Sequence, residues 1–212
     1  MSEFTSQSSL SRKEREQRFR LNIVLDAAEE VFADASYAAS SVEEIARRAE
    51  ISVGTLYNLF RSKEDIYRAV VSRAQESFFE EIEKKVDEAR GPLEQVHVVV
   101  NHFFEHFTHY SRQFRLYLSA TNGFQWELKS KLVKEAERHQ RDFLIRFVEV
   151  CQRGIDEGIF KAGIAADLMA ITVLGIPHSF LMYWVEQEGM ELMSLRETAL
   201  KATDRVTGVA VD

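Results

Sequence analysis

Residues 41–70 read SVEEIARRAEISVGTLYNLFRSKEDIYRAV, and this one stretch predicts three helix starts. Serine side chains accept hydrogen bonds from backbone amides at helix N-termini, and a serine precedes each apolar-periodic segment here. These serines are Ser41, Ser52 and Ser62. Ser41 and Glu44 also have the spacing of a capping box, in which the glutamate side chain returns to the first amide. The stretch therefore predicts short helices over 41–49 and 53–59 and a further helix from Lys63.

The two short helices and the turn between them have the layout of a helix-turn-helix. Apolar residues fall where such a motif packs inward, at Ile45, Ala46, Ala49, Ile51 and Leu56. Before them, apolar side chains recur every three or four residues over 18–33, which is typical of an amphipathic helix. We therefore predict that the chain begins with a three-helix module.

The quoted stretch follows a segment reading VFADASYAAS, and together they resemble the DNA-binding domain of the TetR family of bacterial transcriptional regulators. The resemblance rests on SVEEIA, on the S-x-G-T-L-Y run, on Phe60 and on the SKE start of the next helix. It implies a repressor that a small effector releases from a palindromic operator, and a helical domain for effector binding and dimerisation. Ser36 and Glu50 stand where the family usually has glycine, so a left-handed or crowded backbone there costs about 1 kcal/mol.

The second helix of the motif offers the groups that contacts with double-stranded DNA require. Gly54 permits a close backbone approach, hydroxyl groups suit phosphate oxygens, and Asn58 has the amide that pairs with an adenine edge. A helix N-terminus and a lysine charge also hold phosphates. The predicted DNA contacts are Ser41, Ser52, Val53, Gly54, Thr55, Tyr57, Asn58 and Lys63. The alternative is that the serines only cap helices and Tyr57 only packs, and the two uses do not exclude each other.

Composition excludes several classes of protein. Glycine and proline number only 9 and 2 of 212 residues, which disfavours turn-rich sandwiches and barrels. A single cysteine forms no internal disulfide, so nothing requires an oxidising compartment. The net charge is −7, yet Arg12, Lys13, Arg15, Arg18 and Arg20 make residues 11–20 locally basic. We therefore predict an all-α, cytoplasmic protein, with residues 1–11 a flexible arm and not a signal peptide.

The helix that begins at Lys63 meets no breaker before Gly91 and Pro92. Beyond it the spacing predicts helices over 92–110, 112–121, 126–153, 165–187 and 190–206. We divide the chain into the arm, a DNA-binding domain over 12–62, and an effector-binding and dimerisation domain over 63–212. The long helix should couple the last two mechanically.

Aromatic residues are dense from Phe103 to Trp126 and return at Phe143 and Phe147. Most such stripes fill a helical core. With the family resemblance, they also predict a pocket for a small, largely apolar effector. Its predicted lining is Phe103, Phe107, Tyr110, Phe114, Tyr117, Phe143, Phe147 and His178. The acidic balance of this part of the chain favours neutral or cationic effectors over anions.

His102, His106 and His109 have helical spacing that would allow metal binding. At 100° per residue, however, the apolar stripe of this helix is centred about 90° away from them. We therefore favour solvated or capping histidines that border the core. No cofactor is predicted.

The segment 168–185 contains no charged residue and is long enough to be a membrane-span candidate. It lacks a basic flank, and a helix that is apolar all round is more simply buried against its own domain and a partner subunit. Together with the last helix it predicts a homodimer interface and no membrane contact. The predicted interface residues are Leu174, Phe180, Leu181, Trp184, Leu192, Leu195, Ala199 and Ala202.

Two other classes of protein compete with a DNA-binding regulator. For an enzyme, the sequence offers no glycine-rich phosphate loop, no His/Cys zinc set and no Glu-x-x-His pair, and Cys151 is better explained as a buried structural residue. The other is a helical scaffold or small-molecule-binding protein whose helix-turn-helix contacts protein. Such a protein would not need the hydroxyl groups and Lys63.

Overall fold

The computed structural model describes residues 11–35, 37–111, 126–161, 163–187 and 189–209, without the side chains of 126–138. This part of the chain is helical and contains no strand. The helices are α1 (Arg12–Asp34), α2 (Val42–Arg48), α3 (Val53–Leu59), α4 (Lys63–Glu88), α5 (Gly91–His109), α6 (Trp126–Asp156), α7 (Ala166–Val185) and α8 (Arg196–Thr207). A 3-10 turn over Leu192–Leu195 precedes α8.

Backbone contacts divide the described residues into two compact units, with the division between Arg73 and Ala74 inside α4. The first unit contains α1, α2 and α3 with the start of α4, and the second contains α5, α7 and α8 with the rest of α4. The sequence-based domain boundary lies eleven residues earlier, before Lys63. The assignment of 63–212 to effector binding stays a prediction.

Helix α1 begins six residues before the predicted start at Arg18, because the chain provides a cap there. The Ser11 hydroxyl accepts from the Glu14 amide at 3.3 Å, and the Glu14 carboxylate accepts from the Ser11 amide at 2.7 Å. Both halves of a capping box are thus present. The two hydrogen bonds also lower the pKa of Glu14. The remaining predicted arm residues, 1–10, lie outside the described residues.

The core of the first unit consists of apolar faces from α1, α2, α3 and the start of α4. Ile45, Leu56 and Ile66 are fully buried in it. The ring of Phe32 lies 5.0 Å from that of Tyr67, edge to face, and Tyr37 packs on both. Ala46 and Ala49 are buried too and Ile51 packs against this core, which confirms the inward residues predicted for the helix-turn-helix.

Two arginines join helices across the surface of this first unit. Arg48 of α2 binds Asp34 at 2.9 Å, and Arg73 of α4 binds Asp26 at 2.7 Å and Glu29 at 3.0 Å. Ion pairs at such exposure contribute little each. They do fix the side chains of these arginines on the protein itself.

In the second unit, α5, α7 and α8 pack against one another. His97 of α5 binds Asp204 of α8 at 2.6 Å, and the Thr207 carbonyl accepts from the Lys161 amide at 2.9 Å. Cys151 is fully buried, as predicted, and burial raises the pKa of its thiol to about 12. The helix predicted over 112–121 lies outside the described residues.

Helix α7 is the one described helix that is long and apolar enough to cross a membrane. Length and composition alone are weak grounds, because core helices of other proteins pass the same test. Only 28% of its apolar window is buried in the described chain. The predicted burial of this helix on two sides therefore needs a second surface from outside the described residues.

Candidate nucleic-acid interface

Helix α2 starts at the predicted cap but without the full capping box. The Ser41 hydroxyl accepts from the Glu44 amide at 3.1 Å. The Glu44 carboxylate does not return to Ser41, so that half of the prediction is wrong. It accepts instead from Arg47 at 2.6 and 2.8 Å and from Arg48 at 3.0 Å. These guanidinium groups hold the pKa of Glu44 at about 2, and much of the positive charge of α2 is thereby neutralised within the helix.

The turn between α2 and α3 is tight because Glu50 adopts a left-handed conformation, with φ at 54°. This confirms that a non-glycine residue carries the backbone strain predicted at this position. The Ala46 carbonyl accepts from the Ile51 amide at 3.0 Å and closes the turn. Ser36, the other position where glycine is usual, lies outside the described residues.

Helix α3 has a buried face and an exposed polar face. Leu56 is fully buried, and Val53 packs partly against the same core. On the opposite side, Gly54 and Asn58 are exposed and the Tyr57 side chain is 51% exposed. A helix with its polar face turned outward in this way can enter the major groove of DNA.

The start of α3 is organised by hydroxyl groups. The Ser52 hydroxyl accepts from the Thr55 amide at 3.1 Å, which confirms the predicted cap. It also shares a hydrogen bond of 2.8 Å with the Thr55 hydroxyl. The two hydroxyl groups therefore lie side by side at the helix N-terminus, where backbone amides and the helix dipole favour a phosphate oxygen.

Gly54 occupies open space. A Cβ atom built there would meet only the Ser52 hydroxyl oxygen, at 3.8 Å, among the described atoms. Neither a left-handed backbone nor a neighbouring side chain therefore requires glycine at this position. Alanine in its place would stabilise the helix by about 1 kcal/mol. A requirement for glycine here has to come from a molecule that approaches α3 from outside.

Lys63 has a structural role that the sequence did not reveal. Its ammonium donates to the carbonyls of Tyr37 and Ser40 at 2.7 and 2.8 Å and lies 4.4 Å from the centre of the Tyr37 ring. Lysine has three N–H donors, so one remains after these two bonds. The loop before α2 is thus anchored by Lys63, and its predicted phosphate contact depends on the third donor.

The N-terminal extension of α1 adds exposed cations to this unit. Arg12, Lys13, Arg15, Arg18 and Arg20 are all exposed on the helix. They were not among the predicted DNA contacts, although their local positive charge was a signal that could have included them. Basic side chains on an exposed helix supply contacts to phosphates that carry no sequence preference.

The predicted effector residues divide into two groups. Phe103 and Phe107 pack around Phe78 at ring distances of 4.9 and 5.6 Å. Phe143 and Phe147 stack at 5.8 Å and are buried. Tyr110 is exposed and His178 is half-buried, with its pKa lowered by burial. Phe114 and Tyr117 lie outside the described residues.

A cavity of about 110 Å³ touches the second aromatic group. Its lining includes Phe143 and Phe147, together with the charged side chains of Arg146 and Arg153 and of several acidic residues. Arg146 binds Glu83 at 3.1 Å and Asp87 at 2.6 Å. This cavity is small and polar compared with the apolar pocket that the sequence predicted.

The predicted dimer residues fall into a buried group and a partly exposed group. Leu181, Leu192 and Ala199 are buried within the protomer, so they belong to its own core and are out of reach of a second copy. Leu174, Phe180, Trp184, Leu195 and Ala202 are partly exposed. The outward side of α7 is a different stripe at three- and four-residue spacing: Leu168, Ile171, Gly175, Ser179 and Tyr183. Leu168 and Ile171 are each 54% exposed, which is unusual for large apolar side chains.

The three histidines of α5 do not behave alike. His102 and His106 are only 1% and 3% exposed, so the prediction that they are solvated is wrong for both. The buried side of α5 is broader than its apolar stripe and includes these rings. His109 is exposed, and its Nδ1 lies 2.9 Å from the Glu105 carbonyl of the same helix, in line with the prediction.

Comparison with known proteins places these features in a family. The model for bacterial regulatory proteins of the tetR family matches residues 24–70. The HTH-type transcriptional repressor KstR2 of Mycobacterium tuberculosis is 27% identical over 146 residues, which cover 69% of this chain and 72% of KstR2. The fatty acid metabolism regulator protein of Bacillus subtilis is 25% identical over 182 residues, covering 84% of this chain and 90% of that protein.

The fold is also similar to that of solved regulators. FadR from Bacillus subtilis, solved in complex with stearoyl-CoA, has a TM-score of 0.74 at 22% identity, and the match covers 89% of this chain and 98% of FadR. The segment matched by the family model includes the exposed face of α3 and the strained turn before it. Residues 24–70, which contain the helix-turn-helix, therefore match the tetR family of bacterial regulatory proteins.

Proposed function

We propose that the chain is a transcriptional repressor that binds a palindromic DNA operator through α3 and is released by a small, largely apolar effector. The observation that carries the DNA-binding role is the exposed face of α3. It combines an unhindered Gly54, two hydroxyl groups at a helix N-terminus and the free-standing side chains of Tyr57 and Asn58. Gly54, the hydroxyl groups and Tyr57 would position the DNA backbone, and Asn58 would read a base.

Each predicted contact has a defined part in this proposal. Ser41, Ser52, Thr55 and Tyr57 bind phosphate oxygens, Lys63 adds its remaining donor, and exposed cations of α1 extend the backbone contact. Asn58 reads one base pair, with Val53 beside it. A helix-turn-helix that contacted protein would not need the paired hydroxyl groups of Ser52 and Thr55. The protein is therefore proposed to be a regulator rather than an enzyme. It would act in the cytoplasm, where its operator DNA is located.

A palindromic operator requires two copies of α3. We assign the second copy of the chain to the exposed stripe of α7, where Gly175 lets a partner helix approach closely. The hydroxyls of Thr172 and Ser179 donate to carbonyls four residues earlier in the same helix, so they impose no polar partner on the interface. In such a dimer the recognition helices lie about one DNA turn, roughly 34 Å, apart.

For the effector we propose an acyl-coenzyme A thioester. FadR, whose fold this chain shares, was solved with stearoyl-CoA. In this chain, the apolar acyl part would be held by the aromatic side chains of α4, α5 and α6 around Phe78 and Phe143. This choice departs from the sequence-based preference for neutral or cationic effectors, because coenzyme A is anionic.

The DNA-binding part is tested by selecting bound sites from random double-stranded DNA with the purified full chain. The expected result is one enriched motif with two inverted half-sites, bound by a dimer in light scattering. Binding should weaken steeply with salt, because phosphate contacts release counterions. A monomer at micromolar concentration, or no enriched motif, would overturn the proposal.

The effector is tested on the selected operator with stearoyl-CoA, free stearate and coenzyme A as three separate probes. A coupling of about 3 kcal/mol would weaken operator binding on the order of a hundredfold with stearoyl-CoA. By linkage, the operator must weaken stearoyl-CoA binding by the same factor. Stearoyl-CoA that binds with equal affinity with and without operator would remove it as the effector while leaving DNA binding intact.

A further inference from the structure

One cluster of side chains in the second unit has no part in the proposed regulation so far. Glu81 of α4 and His102 and His106 of α5 each place one ligating atom within 4.8 Å of the other two. Nδ1 of His106 lies 3.4 Å from a carboxylate oxygen of Glu81. The two histidines are one helical turn apart, so both rings point to the same side of α5.

The His102 ring has the hydrogen-bonding pattern of metal-binding histidines, in which one ring nitrogen donates to a carbonyl and the other is left for the metal. Its Nε2 lies 3.2 Å from the Phe78 carbonyl, and a carbonyl only accepts, so this nitrogen carries the proton. Nδ1 then holds a lone pair. It is buried and has no hydrogen-bond partner among the described residues. A buried acceptor left in this way costs stability unless something outside the chain satisfies it.

The spacing suits a small divalent transition-metal ion. Zinc binds nitrogen and oxygen ligands at about 2.0 to 2.2 Å, so neighbouring ligands of a tetrahedral site lie about 3.3 to 3.5 Å apart. The distance between His106 and Glu81 already has this value. The largest separation in the cluster needs to shorten by roughly 1.5 Å, which side-chain rotation can supply.

The residues around this cluster determine how far it is open to solvent and what charge lies near it. The histidine rings are walled by Phe78, Phe107 and Tyr110, with His106 5.0 Å from Phe78 and 4.7 Å from Tyr110. The Glu81 side chain is 41% exposed and opens the cluster to solvent. The nearby Lys85 ammonium disfavours a cation, but it is paired with Glu105 at 2.9 Å.

We propose that Glu81, His102 and His106 form a binding site for a divalent transition-metal ion of the zinc class. Two imidazoles and one carboxylate leave a fourth position on the ion for water or for a donor atom of another molecule. The bound ion would join α4 to α5 within the second unit. This inference does not depend on operator binding, since the site is tested without DNA.

The experiment uses the untagged full chain, stripped with a chelator and dialysed, then titrated with Zn²⁺ alone by calorimetry. Co²⁺ serves as a second probe, because its visible spectrum reports tetrahedral coordination. The variants are Glu81→Gln, which changes a half-exposed side chain, and His106→Gln. The matched control is His109→Gln, on the same helix but outside the cluster. Helical content and thermal midpoint without metal establish that each variant is folded.

One Zn²⁺ per chain is expected for the unmodified protein and for His109→Gln, with a higher thermal midpoint when zinc is present. Glu81→Gln should weaken zinc binding on the order of a hundredfold and remove the tetrahedral Co²⁺ spectrum. His106→Gln should do the same where it folds. Failure of the unmodified chain to bind zinc stoichiometrically, or equal loss in Glu81→Gln and His109→Gln, would overturn the proposal.

Discussion

Two glycines in helices show how differently the two units of this chain use the same residue. Gly54 at the start of α3 faces open space, with the Ser52 hydroxyl 3.8 Å from where a Cβ would lie. At Gly154 near the end of α6, a Cβ would lie 2.1 Å from the Phe160 ring. Phe160 is itself buried, and its amide donates to the Gly154 carbonyl at 2.9 Å.

The difference separates a requirement of the fold from a requirement of function. Phe160 can cross α6 only because residue 154 has no side chain, so packing within the chain explains that glycine. Nothing in the described chain explains Gly54. We therefore expect the exposed face of α3 to contact a molecule outside the chain, and the two glycines should respond in opposite ways to the same substitution.

The largest effect on stability is expected for Gly154→Ala. Three ring atoms of Phe160 lie within 3 Å of the added Cβ, so the ring must leave its position. Overpacking of this kind costs about 1 to 3 kcal/mol, and we expect the upper end of that range in denaturant unfolding. The double variant with Phe160→Ala should show non-additive costs, because the clash is gone once the ring is removed. Additive costs would mean that the two residues do not constrain each other.

The next effect concerns base reading by the exposed face of α3. Asn58→Ala should leave stability unchanged and reduce discrimination at one operator base pair by about 2 kcal/mol. Repeating the site selection with the variant measures this directly. Tyr57→Phe is the matched comparison, because loss of a phosphate contact should weaken all sequences alike. An unchanged motif for Asn58→Ala would remove this residue as a base contact.

Lys63→Ala distinguishes the structural from the DNA-binding role of this ammonium. Loss of its two carbonyl contacts should destabilise the protein by about 1 to 3 kcal/mol, a smaller effect than Gly154→Ala. A phosphate contact would in addition lower the salt slope of operator binding by about one per half-site. If stability falls and the salt slope stays the same, Lys63 only anchors the loop.

A smaller effect is expected for the serine caps. Ser52→Ala and Ser62→Ala each remove a cap hydrogen bond of 3.1 Å and should cost about 1 kcal/mol of stability. Only Ser52 is predicted to contact DNA, so only Ser52→Ala should also weaken operator binding. Titration of both variants with the same operator checks this. Equal operator affinity for the two would show that Ser52 is solely a cap.

The sequence predicted the first unit well because its signals are local. Caps at Ser41, Ser52 and Ser62 depend on neighbours three residues away, and all three form. The strained turn at Glu50 was expected from the family resemblance, because the family usually has glycine at this position. The predicted hydrogen bond from the Ser41 amide to the Glu44 carboxylate does not form, because two arginines compete for the same carboxylate.

The second unit was harder to predict because its contacts join distant residues. Burial of His102 and His106 depends on the Phe78 carbonyl and Glu81 of another helix, which no helical periodicity reveals. The apolar surface of α7 could be predicted, but not which side faces inward, so the predicted interface residues include the buried Leu181 and omit the exposed Ile171. The contacts of Lys63 in the first unit were hard to predict for the same reason, since its carbonyl partners lie more than twenty residues away in the sequence.

Operator affinity of Gly54→Ala tests the central claim most directly, namely that the exposed face of α3 contacts DNA. The variant should be more stable than the parent by about 0.5 to 1 kcal/mol, because alanine favours a helix and open space receives its methyl group. Gly163→Ala, also in open space but outside α3, is the control and should bind operator normally. The account predicts that stable, folded Gly54→Ala loses at least about tenfold in operator affinity, or 1.4 kcal/mol. Affinity equal to that of the parent would contradict it.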